Sequence, residues 1–151
     1  MTASMKLLSL SLSCAAVLAL AAARTFAGTD TDAETTARIS ALDVAGAFST
    51  DGFKIRDGHW AGTLKPKEKA IFMTVNLYAG NQYFFAMGTQ TDARVALAVY
   101  DESGKKVSTE TWMDGNKFAT SVAPAASGPY YVSLRLPEGD PATFCLLYCY
   151  K

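Results

Sequence analysis

Histidine is almost missing from this chain, with one residue, His59, in 151. A lone imidazole excludes a multi-histidine metal site and leaves little room for a nucleophile–histidine triad. An excess of charge of one sign is missing too. Fourteen basic and fourteen acidic side chains cancel to a net charge of zero, whereas a protein that grips nucleic acid through bulk electrostatics carries a basic surplus. No phosphate-binding loop, G-x-S-x-G elbow, H-E-x-x-H pair or dinucleotide fingerprint occurs. Beyond Ala23 there is no long apolar run, so a spanning helix in the remainder, which needs roughly 20 such residues, is excluded. What is present is a chain half hydrophobic and 19 % charged, a composition that folds rather than staying disordered. Its length suits one domain with a substantial core.

The first 27 residues read as a secretory signal peptide. Lys6 supplies the positive start, an uncharged Leu- and Ala-rich run extends from Leu7 to Ala23, and Thr25-Phe26-Ala27 places small residues at −3 and −1 of a cut after Ala27. Ala21-Ala22-Ala23 is an alternative cut. The competing reading, a membrane anchor, has too short a run, diluted by Ser11, Ser13 and Cys14. Cys14 also raises a lipoprotein reading, but Leu12 precedes it by two positions rather than three, so it goes with the discarded peptide. Cleavage leaves 151 − 27 = 124 residues with 12 basic and 14 acidic side chains, a net of −2. Neither a nucleic acid nor, after cleavage, a membrane surface is implied as partner. The expected location is the periplasm or the extracellular medium.

Two cysteines remain, Cys145 and Cys149. Export suggests an oxidising compartment and hence a disulfide. If the segment is a strand, however, the two Cα atoms stand ~13–14 Å apart on one face, and a disulfide tolerates at most ~7 Å. Two buried free thiols are therefore expected. An intermolecular bridge and a thiol metal site are the alternatives, and no C-x-x-C exists to complete the second.

Residues 28–52 form a helical or partly ordered leader. Thr31 and Glu34 fit a capping box, Ile39, Leu42 and Ala45 recur at helical spacing, and Gly46 suits a helix end. From Phe53 to Lys151 the period becomes two. Phe53 and Ile55 alternate up to Asp57-Gly58, which reads as a hairpin turn. Trp60–Leu64, the run through Ile71, Met73, Val75 and Leu77, the run from Tyr83 to Met87, and Val95, Leu97 and Val99 follow. Next come Val107–Trp112, the run through Phe118, Thr120 and Val122, the run from Tyr130 to Leu136, and Thr143–Tyr150. Short alternating strands at this spacing predict an all-β, antiparallel two-sheet sandwich of about eight strands, with a ninth from Phe53. A transmembrane barrel needs strands of ~9–11 residues with one lipid-facing side. Here the second faces carry Thr74, Asn76, Thr109, Ser133 and Arg135. Trp60, Phe85, Leu97 and Leu134 are the expected core.

Three segments resemble the bacterial pre-peptidase C-terminal (PPC) domain. They are Leu77-Tyr78-Ala79-Gly80-Asn81-Gln82-Tyr83-Phe84-Phe85, Val99-Tyr100-Asp101-Glu102-Ser103-Gly104-Lys105-Lys106-Val107, and Ser127-Gly128-Pro129-Tyr130-Tyr131-Val132. They look like the "aG..Y.F" strand, the "v.D..G..v" hairpin and the "sG.YyV" strand of that family. The likeness runs from about Trp60 to Tyr150. It implies a jelly-roll-like sandwich that accompanies exported enzymes. No catalytic domain precedes it here, so the resemblance transfers no protease activity, and the calcium-ligand pattern of related collagenase domains has no residue-by-residue match.

The remaining candidates divide between chemistry and structure. His59, after a turn and beside Trp60, reads as a hairpin or surface residue. Calcium is the best-matched cofactor: Asp30 and Asp32 have an Asp-x-Asp spacing, and Asp101, Glu102 and Asp114 offer hard oxygens in turns. Acidic residues also close turns for purely local reasons. Tyr78, Phe84, Tyr100, Trp112 and Tyr131 fall opposite their strands' main apolar sets, where they would form an aromatic surface for a sugar or peptide unless a second layer covers them. Lys65, Lys67 and Lys69 read as protection of a sheet edge. The function expected is a non-catalytic exported module binding protein or glycan at the cell envelope. An accessory or chaperone-like partner of a separately encoded secreted enzyme is the alternative, and a hydrolase with an unrecognised site ranks third.

Overall fold

Thr31 opens the first element, its hydroxyl accepting a hydrogen bond from the Glu34 amide at 3.3 Å. That cap starts helix α1, Asp32–Ala47. The structure, a computed structural model, describes residues 31–151, so the predicted signal peptide and Asp30 lie outside the described residues. The helix runs past Gly46. It ends on Phe48, and a 3-10 turn over Ser49–Asp51 leads to Gly52, whose φ of 86° provides the left-handed reversal.

The buried face of α1 also differs from the expectation. Ala37, Ser40, Ala41, Val44 and Ala45 are buried, whereas Ile39 is 56 % and Leu42 41 % exposed. The reason is proximity. A Cβ placed on Gly88 would lie 2.2 Å from the Ala37 carbonyl oxygen and 2.6 Å from the Ala41 amide nitrogen. Only small side chains fit between helix and sheet at that distance, so size decides which face docks. Buried Ser40 is satisfied by the Asn116 side-chain amide, which donates to its hydroxyl at 2.9 Å and to the Thr89 carbonyl at 2.9 Å.

Nine strands follow among the described residues: β1 (Lys54–Ile55), β2 (Trp60–Leu64), β3 (Ile71–Leu77), β4 (Tyr83–Thr89), β5 (Ala96–Tyr100), β6 (Trp112–Asp114), β7 (Lys117–Val122), β8 (Gly128–Arg135) and β9 (Ala142–Tyr150). Every pairing is antiparallel. The larger sheet places β1 and β2 in succession along one edge of β9, then β4, β7 and β6. The smaller sheet is β3-β8-β5. The fold is thus the all-β two-sheet sandwich that the alternation implied, with α1 as a third layer on the outer face of the larger sheet.

Between the sheets lies a core that includes fully buried Phe85, Phe118, Met87 and Leu134, with Leu97 almost as deep. Trp60 is not a core residue. It is half-buried at the margin, stacked on Tyr148 with ring centres 6.0 Å apart and planes 17° from parallel. A second, smaller cluster joins α1 to Phe84, Ala86, Ala119, Cys145, Leu147 and Cys149 on the sheet's outer face. Both thiols are buried and unpaired on that one face, as the strand geometry requires.

Of the segment expected as a strand at Val107–Trp112, only Trp112 enters one, β6; Val107–Thr111 is instead a crossing between sheets. The Val107 amide donates to the Val99 carbonyl at 2.9 Å, the Ser108 hydroxyl accepts from the Val99 amide at 3.0 Å, and the Thr111 hydroxyl donates to the Leu97 carbonyl at 2.7 Å. On the other side the Thr109 amide reaches the Ser121 carbonyl at 3.0 Å, and the Thr120 hydroxyl donates to the Thr109 carbonyl at 2.8 Å. Hydroxyls take the places of ladder partners. This closes the flank between β5 and β7.

Candidate functional site

The opposite flank is open, because the edge strand beside β9 is interrupted. Ile55 faces Cys149 and Trp60 faces Leu146. Four residues, Arg56–His59, therefore stand opposite two, Leu147 and Tyr148. The surplus is expelled as a loop, in the manner of a bulge, a device that frequently re-aims side chains at sheet edges. Asp57-Gly58 therefore turns within this loop and makes no hairpin. Gly58 takes φ 96°, a left-handed angle costly for any other residue. The Arg56 amide still holds the Tyr148 carbonyl at 3.0 Å, which anchors the loop's first residue.

The expelled loop forms one wall of a cleft of about 540 Å³. Arg56, His59 and Trp60 line this wall; Thr74, Asn76 and Tyr78 line the other. Among the described residues, strand β3 pairs only with β8, so its second edge is free toward the cleft. Tyr78 follows the last residue of β3. Its amide donates to the buried Tyr83 hydroxyl at 3.0 Å, and the Asn81 side-chain amide donates to the same oxygen at 3.1 Å. That shared acceptor fixes the turn carrying Tyr78, whose side chain stays 60 % exposed.

Arg56 is held by aromatic chemistry. Its guanidinium donates to the hydroxyl of the buried Tyr148 and lies 5.3 Å from that ring's centre. The bond to Tyr148 is the main cause that raises its pKa, so the charge is permanent. Among the described residues the ion pairs are Lys65–Glu68, Lys106–Glu110 and Lys117–Asp43. Arg56 belongs to none of them, and the rest of its donor fork is not engaged by a carboxylate.

The five aromatics expected to form one surface are spread over four places. Tyr78 lines the cleft. Tyr100 and Tyr131 are direct cross-strand partners on the outer face of the smaller sheet, in the same row as Thr74, and both are half-buried. Trp112 is 51 % exposed on β6, in the other sheet. Phe84 is buried: α1 covers its face of β4, and its ring meets Phe48 at 4.4 Å and Phe53 at 5.2 Å.

The proposed calcium ligands do not converge. One carboxylate oxygen of Asp101 accepts from the Ser103 amide (2.9 Å), the Ser103 hydroxyl (2.6 Å) and the Lys105 amide (2.9 Å). Those bonds, the Ser103 hydroxyl first, lower its pKa, and they make it the closure of its own turn. Glu102 is its exposed neighbour, Asp114 ends β6 in the other sheet, and Asp32 sits in the first turn of α1. No group of three or more His, Cys, Asp or Glu side chains able to hold a metal ion occurs among the described residues. The thiols of Cys145 and Cys149 are pushed up by burial to about 11, which keeps them protonated and poor nucleophiles near neutral pH. No helix among the described residues is long and apolar enough to cross a membrane.

Sequence reasoning missed Arg56, Trp60, Thr74 and Asn76 as cleft residues and treated His59 as a hairpin residue. The local signal was Asp57-Gly58-His59-Trp60, a turn pair followed at once by two aromatic rings. Its meaning depends on pairing with β9, nearly ninety positions further on. No protein-family model matches the chain, and no curated protein matches it.

Proposed function

We propose that this chain is a non-catalytic, exported binding module that takes a protein or glycan of the cell envelope into the cleft at the interrupted edge. The observation that carries this reading is the cleft itself. A strand break places a held cation, two aromatic side chains and neutral hydrogen-bonding groups around one opening, the composition of a recognition site. The likeness of three segments to the PPC domain supports a role beside exported enzymes without supplying catalysis. The tripartite N-terminus supports export.

The decisive experiment immobilises the exported chain and its Trp60→Ala and Tyr78→Ala variants, and exposes each to envelope extracts and glycan arrays. An envelope protein or glycan held by the parent and released by both variants is the expected result. Retention that is indifferent to both substitutions overturns the assignment to this cleft. Intact mass of the exported chain checks the accompanying claim of export, with Gly28 expected as first residue.

A further inference from the structure

We infer that the cleft binds an acidic saccharide through a uronate residue, its carboxylate on Arg56 and its ring against Trp60 and Tyr78. This rests on the binding-module reading and names the ligand class of the same site.

Arg56 argues for the carboxylate. A guanidinium presents a planar fork that matches a carboxylate with two parallel hydrogen bonds. Here the buried Tyr148 hydroxyl takes one donor and positions the group, while no acid among the described residues forms an ion pair with it. His59 lines the same wall. Asp57 is the acid of the lining; its oxygens are acceptors suited to a ring hydroxyl rather than to a second anion. The cleft therefore offers one held cation for a carboxylate and one acid for a ring hydroxyl.

Trp60 and Tyr78 argue for the sugar ring. The C–H face of a pyranose packs on aromatic rings, and those rings bind best when they are already fixed. Trp60 is stacked on Tyr148 and half-buried, so its exposed portion is presented rigidly. Tyr78 is carried by a turn that the Tyr83 hydroxyl ties down twice. Uncharged Thr74 and Asn76 line the same opening along the free edge of β3, where polar groups suit ring hydroxyls. A cleft of about 540 Å³ lies within the ~300–1,000 Å³ of small-ligand sites.

The competitor is an extended peptide added to the free edge of β3, which would use backbone bonds and no fixed cation. Calorimetric titration of the exported chain with trigalacturonate, trigalactose and free acetate separates these cases. The acidic trisaccharide is expected to bind, with the neutral one at least about tenfold weaker, the worth of a charge-assisted pair. Arg56→Ala should weaken trigalacturonate by about tenfold or more and so remove its advantage over trigalactose. Arg56→Lys, which keeps the charge and loses the fork, should recover only part of that loss.

Equal binding of the two trisaccharides overturns the role of Arg56, and acetate binding as tightly as trigalacturonate overturns the role of the aromatic wall. If no saccharide binds while an envelope protein is retained and lost in Trp60→Ala, the uronate assignment falls and the binding-module reading stands. If Trp60→Ala and Tyr78→Ala change nothing toward any ligand, both fall.

Discussion

Strand β4 is packed on both faces, and the two faces are packed in opposite ways. Toward the second sheet it presents Tyr83, Phe85 and Met87, which fill the gap between sheets. Toward α1 it presents Phe84, Ala86 and Gly88, and at Gly88 it is the missing side chain that admits the helix. One interface is made by volume and the other by proximity. Burial alone does not distinguish them, since every residue of β4 is buried. They should fail differently: the inner face when atoms are removed, the outer face when atoms are added.

The largest effect tests the inner face. Phe85→Ala removes a fully buried ring and should cost ~3–5 kcal/mol, the lost transfer energy plus a cavity. Denaturant melts measure it, and a cost near zero would mean that the core closes around the vacancy. Next, Gly88→Ala adds a single methyl against the α1 backbone. In an unhindered strand this change gains stability, because glycine is the worse strand former. Here it should instead lose ~1–3 kcal/mol to overpacking, and a gain would show that the helix slides freely on the sheet.

The buried thiols sharpen the same contrast through pH. Burial raises Cys145 and Cys149 from 9.0 to about 11. The folded state therefore holds these protons more tightly than the unfolded one. The contribution to stability is fully present below about pH 9 and is lost as pH rises through about 11. Replacing both with alanine should flatten this alkaline slope. Thiol labelling gives the companion measurement: Cys145 and Cys149 both label on the unfolded, non-reduced monomer, label slowly on the folded one, and label faster in Gly88→Ala. A monomer with no reactive thiol after unfolding would reveal a disulfide and a bent β9. The smallest effect is expected on the exposed side of the helix, where Ile39→Ala and Leu42→Ala should stay within ~0.5 kcal/mol.

The same contrast explains what was legible in the amino-acid sequence. Where one face is core and the other is solvent, alternation reads directly: Met73, Val75 and Leu77 of β3 and Leu97 and Val99 of β5 point inward as expected. Where a third layer covers the sheet, the pattern loses its period. Phe84 then looks like an outward aromatic, although α1 and Phe48 cover it. The helix misleads for a related reason, since apolar bulk marks Ile39 and Leu42 while docking selects Ala37, Ala41 and Val44. The cleft was the least legible feature. Asp57-Gly58 has the chemistry of a hairpin turn, and only its register against Leu147 and Tyr148 makes it an expelled loop. Val107–Thr111 likewise has strand-forming residues whose hydroxyls bond to two different sheets.

The position of β9 has a consequence in time as well as in space. It follows every other strand in chain order, yet it is flanked on one side by β1 and β2 and on the other by β4. The pair Lys54↔Tyr150 joins residues 150 − 54 = 96 positions apart. While the chain is being delivered residue by residue, β1, β2 and α1 have no completed surface to join until Ala142–Tyr150 arrives. The smaller sheet, closed by β8, can assemble first. A chain whose flanked strand comes last stays open during synthesis and closes late, and long-range closure of this kind is slow.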